Sequence, residues 1–507
     1  MKISPFGKLR MKLEIIFFVL IIGISLLSRS IEVLNKNYVF GFDQGRDYLA
    51  VKSIVVDNKF TLIGSEVGAG AAGLSGIFQG SLHYYFLSVP FILTKGDPYG
   101  GLVLMFLLSM LSVVFSYFFG RKVFGAIGGL TTALLFALSP MFIAQARFVW
   151  NSNPSTLFIL LSYYFLYLGM RKESKHIFLS AFFAAFVYNF QFAVSMPLSI
   201  SIILFYIFVI KLREIRKYVS LSLGFIIAFS PMFLFEARHN FMGIKGFITY
   251  LFVNREEGSS FFPTQKLISD HFNSFFNAFI DVFPKGIISP IILLLIVLVP
   301  AIYYFNKEKN QNIRKFISFL FLLFPIHFLV FLFFRNAVWV YYLIALNITY
   351  ILLFSYSIAS SFKKNNYFLK IFYVSFLLFI LIKTLPMLIN VFNYDIRDYG
   401  GTAKIKGKID AIDFIYKDAK GKKFSLFIFS PPIYTYPYDY ILWWHAKNKY
   451  GYMPDNIKTG TFYTLIEKDN DQPWRHKGWL ETVIKDGTVL WEKELLSGFI
   501  VQKRLSQ

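Results

Sequence analysis

The chain lacks cysteine entirely, and charged residues are scarce among its 507 positions. Without cysteine it has neither disulfide bonds nor thiolate metal ligands. Only 16% of its residues are charged, compared with about a quarter in soluble domains, whereas 56% are hydrophobic. The 63 Phe and 31 Tyr are typical of lipid-facing helices and interfacial aromatic belts. The composition therefore predicts an integral membrane protein.

Several functional motifs are also missing. There is no Gly-Lys-Ser/Thr phosphate loop, so ATP-driven transport is not supported. No cluster of His, Cys and Asp has zinc spacing, so no metal site is predicted, although Asp43 and Asp47 could bind a divalent cation weakly.

The formal net charge of +23 is compatible with nucleic-acid binding. However, the basic residues form short clusters between apolar segments, which is typical of membrane topology, and we predict no nucleic-acid partner.

Long apolar runs fill the first 390 residues and predict an all-α polytopic membrane protein. A helix of about 20 apolar residues crosses the hydrocarbon. Eleven segments are candidates, namely 13–32, 100–119, 124–144, 155–170, 177–193, 194–210, 218–235, 287–305, 316–334, 340–358 and 370–390. The basic clusters agree on one side of the membrane only if the chain makes one net crossing between residue 80 and Arg121. The shorter run 82–94 is therefore predicted to be re-entrant or interfacial.

Positive charge predicts the orientation. The basic clusters, at 121–122, 171–175, 211–217, 307–315 and 363–364, are expected in the cytoplasm. The basic residues within positions 1–12 place the N-terminus there too, and residues 28–32 do not form a small-residue cleavage site, so the first helix is expected to stay uncleaved. The extracytoplasmic side of the plasma membrane then receives the loop 33–81, residues 145–154, about 188–193, 236–286 and 335–339, and everything after residue 391.

Residues 391–507 differ from the preceding transmembrane domain, 1–390. Charge is dense there and no run could cross a bilayer. Residues 424–429, 461–466 and 498–502 are expected to be strands, which predicts a small extracytoplasmic α/β domain. Its aromatic residues could stack on sugar rings, pack in a core or rest on the membrane; they are Tyr434, Tyr436, Tyr438, Trp443, Trp444 and Tyr452.

The most informative stretch is Asp43-Gln44-Gly45-Arg46-Asp47-Tyr48, in the first extracytoplasmic loop. On a helix, Asp43 and Asp47 share a face with Arg46 nearby. An arginine keeps a carboxylate ionised, and an ionised carboxylate can act as a general base. The alternative is an interfacial helix cap with solvated charges. Six glycines follow, which is typical either of a flexible loop that contacts a ligand or of an ordinary linker. They are Gly64, Gly68, Gly70, Gly73, Gly76 and Gly80.

This stretch resembles the Asp-Glu-x-Arg-Tyr motif of glycosyltransferase family 39, which includes protein O-mannosyltransferases and the aminoarabinose transferase acting on lipid A. The family's second landmark, His-Pro-Pro-Leu-Tyr-Tyr-Tyr, is similar to residues 79–85, and weaker likenesses lie at 137–140, 145–154 and 235–240. The sequence departs from the pattern at Gln44, Gly80 and Ser81. No family role for the glutamate can therefore be assigned to Gln44.

The resemblance implies a GT-C fold and an inverting glycosyltransferase. The donor would be an undecaprenyl- or dolichyl-phosphate sugar, with no other cofactor, and the acceptor a glycan, lipid or protein. Asp43 would be the catalytic carboxylate. Asp47 has no counterpart in the family motif and is predicted to be a second catalytic carboxylate or a helix cap. Cations would bind the donor phosphate; the candidates are Arg46, Arg147, Arg238, His239 and Arg335.

By the same resemblance, His83, Tyr84 and Tyr85 would belong to the substrate loop. Other interpretations of the candidate residues stay open. Arginines at helix ends, such as Arg238 and Arg335, can also simply snorkel to the interface. The chain could alternatively be a transporter or flippase, which would place polar residues in the middle of spans. It could also be a polymerase or ligase of lipid-linked saccharides, which shares the same phosphate chemistry.

Overall fold

The computed structural model describes residues 5–70, 74, 76–171, 173–252, 264–284, 286, 288–364, 367–431, 434–458, 460–469 and 471–506. Gly73 of the glycine-rich loop lies outside these residues. The described chain is mainly helical, and its strands form two separate sheets.

The helices of the membrane part precede residue 396. They are α1 (Pro5–Arg29), α2 (Ile31–Asn35), α3 (Phe42–Val55), α4 (Leu82–Leu93), α5 (Tyr99–Phe124), α6 (Ala126–Leu138), α7 (Pro140–Ala144), α8 (Ser155–Gly169), α9 (Ser174–Phe186), α10 (Phe192–Leu204), α11 (Ile215–Arg238), α12 (Met242–Phe252), α13 (Gln265–Val282), α14 (Pro290–Asn306), α15 (Gln311–Leu332), α16 (Ile344–Lys363) and α17 (Tyr367–Asp395). A hairpin of β1 (Ile63–Glu66) and β2 (Phe78–Gly80) lies between α3 and α4.

Seven helical segments of the described chain are long and apolar enough to cross a membrane, as expected for a multi-pass membrane protein. The predicted number of eleven spans stays a prediction, because several apolar segments form shorter helices. The predicted span 124–144, for example, is divided into α6 and α7. Ser139 leaves the helical conformation before Pro140, since a residue that precedes proline is driven out of the α region. Helix α4 has 12 residues, fewer than the roughly 20 that a crossing requires.

The two ends of the helical bundle carry different sets of charged residues. Lys122 and Lys363 line one cavity at the ends of α5 and α16. At the opposite end, Arg147 pairs with Glu32 after α1 and with Asp395 at the end of α17. The basic clusters at 121–122 and 363–364 thus lie at the end opposite the Arg147 ion pairs, as the topology argument expects. Which end faces the cytoplasm stays a prediction.

A buried arginine, Arg29, holds the end of α6 in place. Its Nη1 donates to Ala137 O at 3.1 Å and its Nη2 to Phe136 O at 2.8 Å. Charged side chains within membrane helices often mark function. Here the guanidinium satisfies terminal carbonyl groups of α6, which have no partner within their own helix. Arg29 thereby positions the segment 140–154, which contributes to the site described below.

The tail contains a four-stranded sheet in the order β3-β4-β6-β5. Its elements are α18 (Ile405–Ala419), β3 (Ser425–Phe429), α19 (Tyr436–Ile441), α20 (Lys447–Tyr450), β4 (Thr461–Ile466), α21 (Arg475–Trp479), β5 (Thr488–Glu494) and β6 (Ile500–Leu505). Strands β3 and β4 are parallel, while β6 pairs antiparallel with β4 and β5. Three of the strands correspond to the predicted ones. The fourth, β5, was missed because it is a largely exposed edge strand without a buried, alternating face.

The tail packs closely on the loop end of the membrane part. Tyr440 Oη donates to Gly96 O at 2.5 Å, and Tyr48 Oη donates to Pro98 O at 3.0 Å. The rings of Tyr48 and Tyr440 lie 5.2 Å apart in one shared hydrophobic core. The division of the chain at residue 391 stays a prediction, since the packing is continuous between the tail and helices α3, α4 and α5.

Candidate active site

Helix α3 presents the predicted charged cluster from its first two turns. Gly41 precedes the helix in an extended conformation, and its N–H donates to Gln44 Oε1 at 2.9 Å. Gln44 Nε2 donates to Val149 O at 2.7 Å. Gln44 therefore closes the first turn of α3 and also attaches it to the 145–154 loop. An ionised carboxylate at this position could not make the bond to Val149 O, because it has no proton to donate.

Arg46 joins the two predicted carboxylates. Its Nη1 lies 2.8 Å from Asp43 Oδ1, while its Nε and Nη2 donate to Asp47 Oδ1 at 2.9 and 2.7 Å. The Asp47 side chain is only 3% exposed, whereas that of Asp43 is 39% exposed. The three residues share one helical face, with Asp47 enclosed and Asp43 facing the open side.

Two of the three predicted substrate-loop residues join this cluster from α4. His83 Nε2 lies 3.3 Å from Asp47 Oδ2, and Tyr84 lies near Arg46, whose positive charge acts on the pKa of the tyrosine hydroxyl. Tyr85 instead bonds to the backbone of Thr61, donating to its carbonyl at 2.8 Å and accepting its N–H at 3.1 Å. The two family landmarks thus meet in space at Asp47 and Arg46, while Tyr85 fixes the loop after α3.

The two carboxyl groups differ electrostatically. Burial raises the pKa of Asp43 above its ordinary value, and the neighbouring Arg46 offsets only part of this rise. Burial acts on Asp47 as well, but Arg46 and His83 outweigh it and hold the pKa of Asp47 below its ordinary value. Such a separation of pKa values is typical of acid–base sites, in which one carboxylate remains charged while the other exchanges a proton.

Trp150 is a member of the cluster that sequence interpretation missed. It lies close enough to the Asp43 carboxylate to lower the pKa of that group, and its ring packs on Tyr341 with the centroids 4.4 Å apart. The signal in the sequence was weak: Trp150 directly precedes the Asn151–Pro154 motif, which was noted for its resemblance alone. The contact depends on the loop folding back onto α3, which Gln44 stabilises.

Arg147, a predicted phosphate ligand, already has two carboxylate partners. Its Nε donates to Glu32 Oε1 and Oε2 at 2.9 and 2.8 Å, and its Nη2 bonds to Asp395 as well. These ion pairs join α2 to the end of α17. We therefore do not propose Arg147 as a phosphate ligand.

Arg238 and His239 lie on the surface at the C-terminal end of α11, and both are exposed. Their neighbour Glu236 is 3% exposed and accepts two N–H groups from the first turn of α12, at 3.1 and 3.2 Å. Glu236 thus caps α12. Among the contacts of the described residues, none joins Arg238 or His239 to Asp43.

Arg335 lies at the edge of an apolar cavity. Its backbone N–H donates to Tyr250 Oη at 2.6 Å, and its Nη2 donates to Leu251 O at 2.9 Å. Tyr250 and Leu251 also line a cavity of about 250 Å³ whose walls are aliphatic and aromatic side chains from α10, α12 and α15. A cation thus stands beside an apolar space in the membrane part.

A chain of ring contacts connects this cavity to Asp43. Phe334, in the cavity wall, packs on Tyr342 with the centroids 5.9 Å apart. Tyr342 packs on Tyr341 at 4.7 Å, and Tyr341 packs on Trp150, which lies beside Asp43. The predicted phosphate ligand Arg335 and the predicted catalytic carboxylate therefore belong to one continuous region of the molecule.

Comparisons with known proteins agree on the architecture. The profile of the family described as dolichyl-phosphate-mannose-protein mannosyltransferase matches residues 80–235. The apo structure of ArnT from Cupriavidus metallidurans is similar at a TM-score of 0.58 and 10% identity, covering 96% of this chain and 97% of ArnT. The chain has the GT-C glycosyltransferase fold. ArnT bound to undecaprenyl phosphate is similar at a TM-score of 0.55, with the same identity and coverage. No curated protein matches the sequence.

The GT-C fold confirms the predicted resemblance, and the matched segment begins at Gly80, within the second landmark. The comparisons assign no role to individual residues of this chain. Within the part of the chain that the structure describes, no group of three or more His, Cys, Asp or Glu side chains could hold a metal ion. Asp43 and Asp47 are instead bridged by the Arg46 guanidinium.

Gln44→Glu restores the residue of the related motif, yet it should destabilise this protein. The new carboxylate would face Val149 O at 2.7 Å without a proton to donate, at a position that is 6% exposed. We expect a loss of about 1–3 kcal/mol in the free energy of unfolding, measured by denaturant titration in detergent. The matched control is Gln265→Glu at the exposed first residue of α13, which should be neutral or slightly stabilising. Equal stability of the two variants would contradict the assigned role of Gln44.

Proposed function

We propose that this protein transfers a sugar from a polyprenyl-phosphate carrier to a hydroxyl or amine acceptor, with inversion at the anomeric carbon. The observation that carries the proposal is the arrangement in which enclosed Asp47 holds Arg46 beside the partly exposed Asp43. The GT-C fold and the mannosyltransferase family profile support it. ArnT, which has the same fold, has been solved with undecaprenyl phosphate bound.

Asp43 is the proposed general base. It would accept the acceptor proton while the acceptor oxygen or nitrogen forms a bond to the anomeric carbon. The bond from that carbon to the phosphate oxygen breaks on the opposite side, and the lipid phosphate leaves with the electron pair. The raised pKa of Asp43 fits this role, because a stronger base accepts the proton more readily. The Trp150 indole would orient the carboxylate.

Asp47 has a positioning role in this proposal instead of a catalytic one. Its carboxylate is enclosed and bonded to Arg46, and His83 Nε2 lies 3.3 Å from its other oxygen. Asp47 would keep Arg46 in the orientation that places Nη1 at Asp43. Arg46 could then stabilise negative charge near the reacting atoms without drifting into solvent.

For the donor, we propose that the prenyl chain occupies the apolar cavity lined by Tyr250 and Leu251, with its phosphate near Arg335. A guanidinium suits phosphate oxygens, because its donors form a fork. Arg238 and His239 are exposed at the end of α11, which fits a role at the entrance better than one at the reacting phosphate. The site lies at the end of the bundle opposite the basic clusters, so we place the reaction on the extracytoplasmic face.

The proposed activity can be tested with purified protein in liposomes that contain a panel of radiolabelled polyprenyl-phosphate sugars. The expected result is release of the free lipid phosphate and formation of a labelled product of opposite anomeric configuration. If the wild-type protein at stoichiometric concentration consumes none of the donors, the proposal fails. A product that grows by repeated units on one carrier would indicate a polymerase instead.

The pH dependence of the reaction should reflect Asp43. Since Asp43 must be ionised to act as a base, kcat/KM should rise with pH through its pKa. Burial raises that pKa, so the acidic limb should lie above the ordinary aspartate value of about 3.9. The measurement is kcat/KM against pH, with fluorescence-detected unfolding at each pH to show that the protein stays folded. A flat profile from about pH 4 to pH 7 would contradict the role of Asp43.

A further inference from the structure

Three aromatic rings from two distant parts of the chain meet beside the catalytic helix. Phe42, the first residue of α3, lies 5.6 Å from Tyr434 and 5.2 Å from Tyr436, measured between ring centroids. Tyr434 and Tyr436 stack on each other at 5.4 Å with an interplanar angle of 14°. We call Phe42, Tyr434 and Tyr436 the aromatic platform. Both tyrosines belong to the tail, so the platform forms only when the tail packs on α3.

The platform contacts the charged cluster through Phe42 and Arg46. The Arg46 guanidinium lies over the Phe42 ring, 5.7 Å from its centroid, and the same guanidinium contacts Asp43 at 2.8 Å. The order in space is therefore Tyr434 and Tyr436, then Phe42, Arg46 and Asp43. Asp43 is the partly exposed carboxylate of the pair, and Tyr434 is 58% exposed. An open aromatic surface thus adjoins the open side of the carboxylate.

The position of the platform is fixed by close packing. A Cβ atom at Gly45 would lie 2.3 Å from the Pro437 nitrogen, so the backbones of α3 and α19 approach as closely as a glycine allows. Next to the platform, Tyr438 and Tyr440 are fully buried. Close packing thus fixes the segment Pro437–Tyr440, while Tyr434 keeps most of its surface open.

The other tail aromatics have packing roles. Tyr438 Oη bonds to Glu467, Trp443 stacks on Phe91 with the centroids 6.1 Å apart, and Tyr452 packs on the tail core. Packing, one of the three alternatives that the sequence left open for these aromatics, therefore applies to Tyr438, Trp443 and Tyr452.

We propose that the aromatic platform binds a sugar ring of the acceptor and brings its reacting group to Asp43. The C–H face of a pyranose carries partial positive charge and fits the electron-rich face of an aromatic ring. The platform connects to Asp43 through Phe42 and Arg46 and does not line the apolar donor cavity, so it suits the acceptor better than the lipid carrier. This inference rests on the proposed function and adds that the acceptor is a saccharide or carries one next to the attacked position.

The test measures saccharide binding without the reaction. Saturation-transfer NMR is recorded on the full-length protein in a sugar-free detergent, with cellobiose, mannobiose and N,N′-diacetylchitobiose as probes. At least one probe should receive saturation from the wild-type protein, and Tyr434→Ala should weaken its binding about tenfold, the size of one lost ring contact. Tyr434→Phe keeps the ring face and should bind like the wild type. The control is Trp474→Ala, which removes another exposed tail aromatic, 65% exposed and outside the platform.

Three outcomes overturn the inference: no probe binds to the wild type, Tyr434→Ala binds as well as the wild type, or Trp474→Ala weakens binding equally. Failure of the proposed function looks different. In that case the wild type consumes no polyprenyl-phosphate sugar, while a Tyr434-dependent saccharide signal persists. If the proposed function and the saccharide inference are both correct, Tyr434→Ala should raise the acceptor KM about tenfold with a much smaller effect on the donor KM.

Discussion

Asp43→Asn should reduce sugar transfer by about 10²- to 10⁴-fold while the protein stays folded. The amide has nearly the shape of the carboxylate, but it cannot accept a proton from the acceptor. Because the Asp43 side chain is 39% exposed and Asp47 remains to pair with Arg46, the substitution leaves no fully buried charge without a partner. The measurement is kcat with a labelled polyprenyl-phosphate sugar, together with the donor KM, which should change little.

The matched control for Asp43→Asn is Asp57→Asn, just after the same helix. Asp57 forms an exposed ion pair with Lys52 at 3.1 Å and contacts neither Arg46 nor His83 among the contacts described. Its loss should leave turnover within a factor of about two. Turnover of Asp43→Asn equal to that of the control would remove Asp43 from the mechanism. If Asp47→Asn, but not Asp43→Asn, abolished transfer in a folded protein, Asp47 would become the candidate base.

Part of this site could be predicted from local sequence. Spacing alone placed Asp43, Arg46 and Asp47 on one helical face, because residues three and four apart are neighbours on a helix. The separation of basic clusters from the loop 33–81 also followed from sequence, through the positive-inside rule. Both arguments use only information carried by a short segment and its flanks.

Contacts between distant segments could not be predicted in this way. The approach of His83 to Asp47 requires α4 to pack against α3, and the approach of Trp150 to Asp43 requires the 145–154 loop to fold back. Arg147 had the residue type of a phosphate ligand, but its partners Glu32 and Asp395 lie 115 and 248 positions away in sequence. Helix breaks such as that at Ser139–Pro140 likewise interrupt apolar runs that hydropathy treats as continuous.

Gln44 shows how a departure from a family motif can be explained by its contacts. The sequence identified Gln44 only as the place where the family's glutamate role ceases to apply. In the structure, its amide donates to Val149 O at 2.7 Å while its oxygen accepts the Gly41 N–H at 2.9 Å. An amide is the side chain that can do both at once. The departure therefore connects helix α3 with the loop that carries Trp150.

Asp47→Asn should cost about 3–5 kcal/mol of stability, because it removes one partner of a buried ion pair and leaves Arg46 without its enclosed counter-charge. The sign of the pH effect follows from the lowered pKa of Asp47 in the folded protein. Its stabilising contribution is fully present above the unfolded value of about 3.9 and is lost as the pH falls through the lower folded pKa. Acidification should therefore destabilise the wild type more than Asp47→Asn.

The free energy of unfolding can be measured by guanidinium titration in detergent at neutral pH and near pH 3, followed by tryptophan fluorescence. The exposed ion pair of Asp57 with Lys52 again supplies the control, because Asp57→Asn should lower the free energy of unfolding by about 1 kcal/mol or less. If Asp47→Asn were no less stable than Asp57→Asn, the ion pair would not be what fixes Arg46, and the distinct roles of the two carboxylates would lose their basis. A large stability loss together with residual transfer activity would instead separate the positioning of Arg46 by Asp47 from the proton acceptance by Asp43.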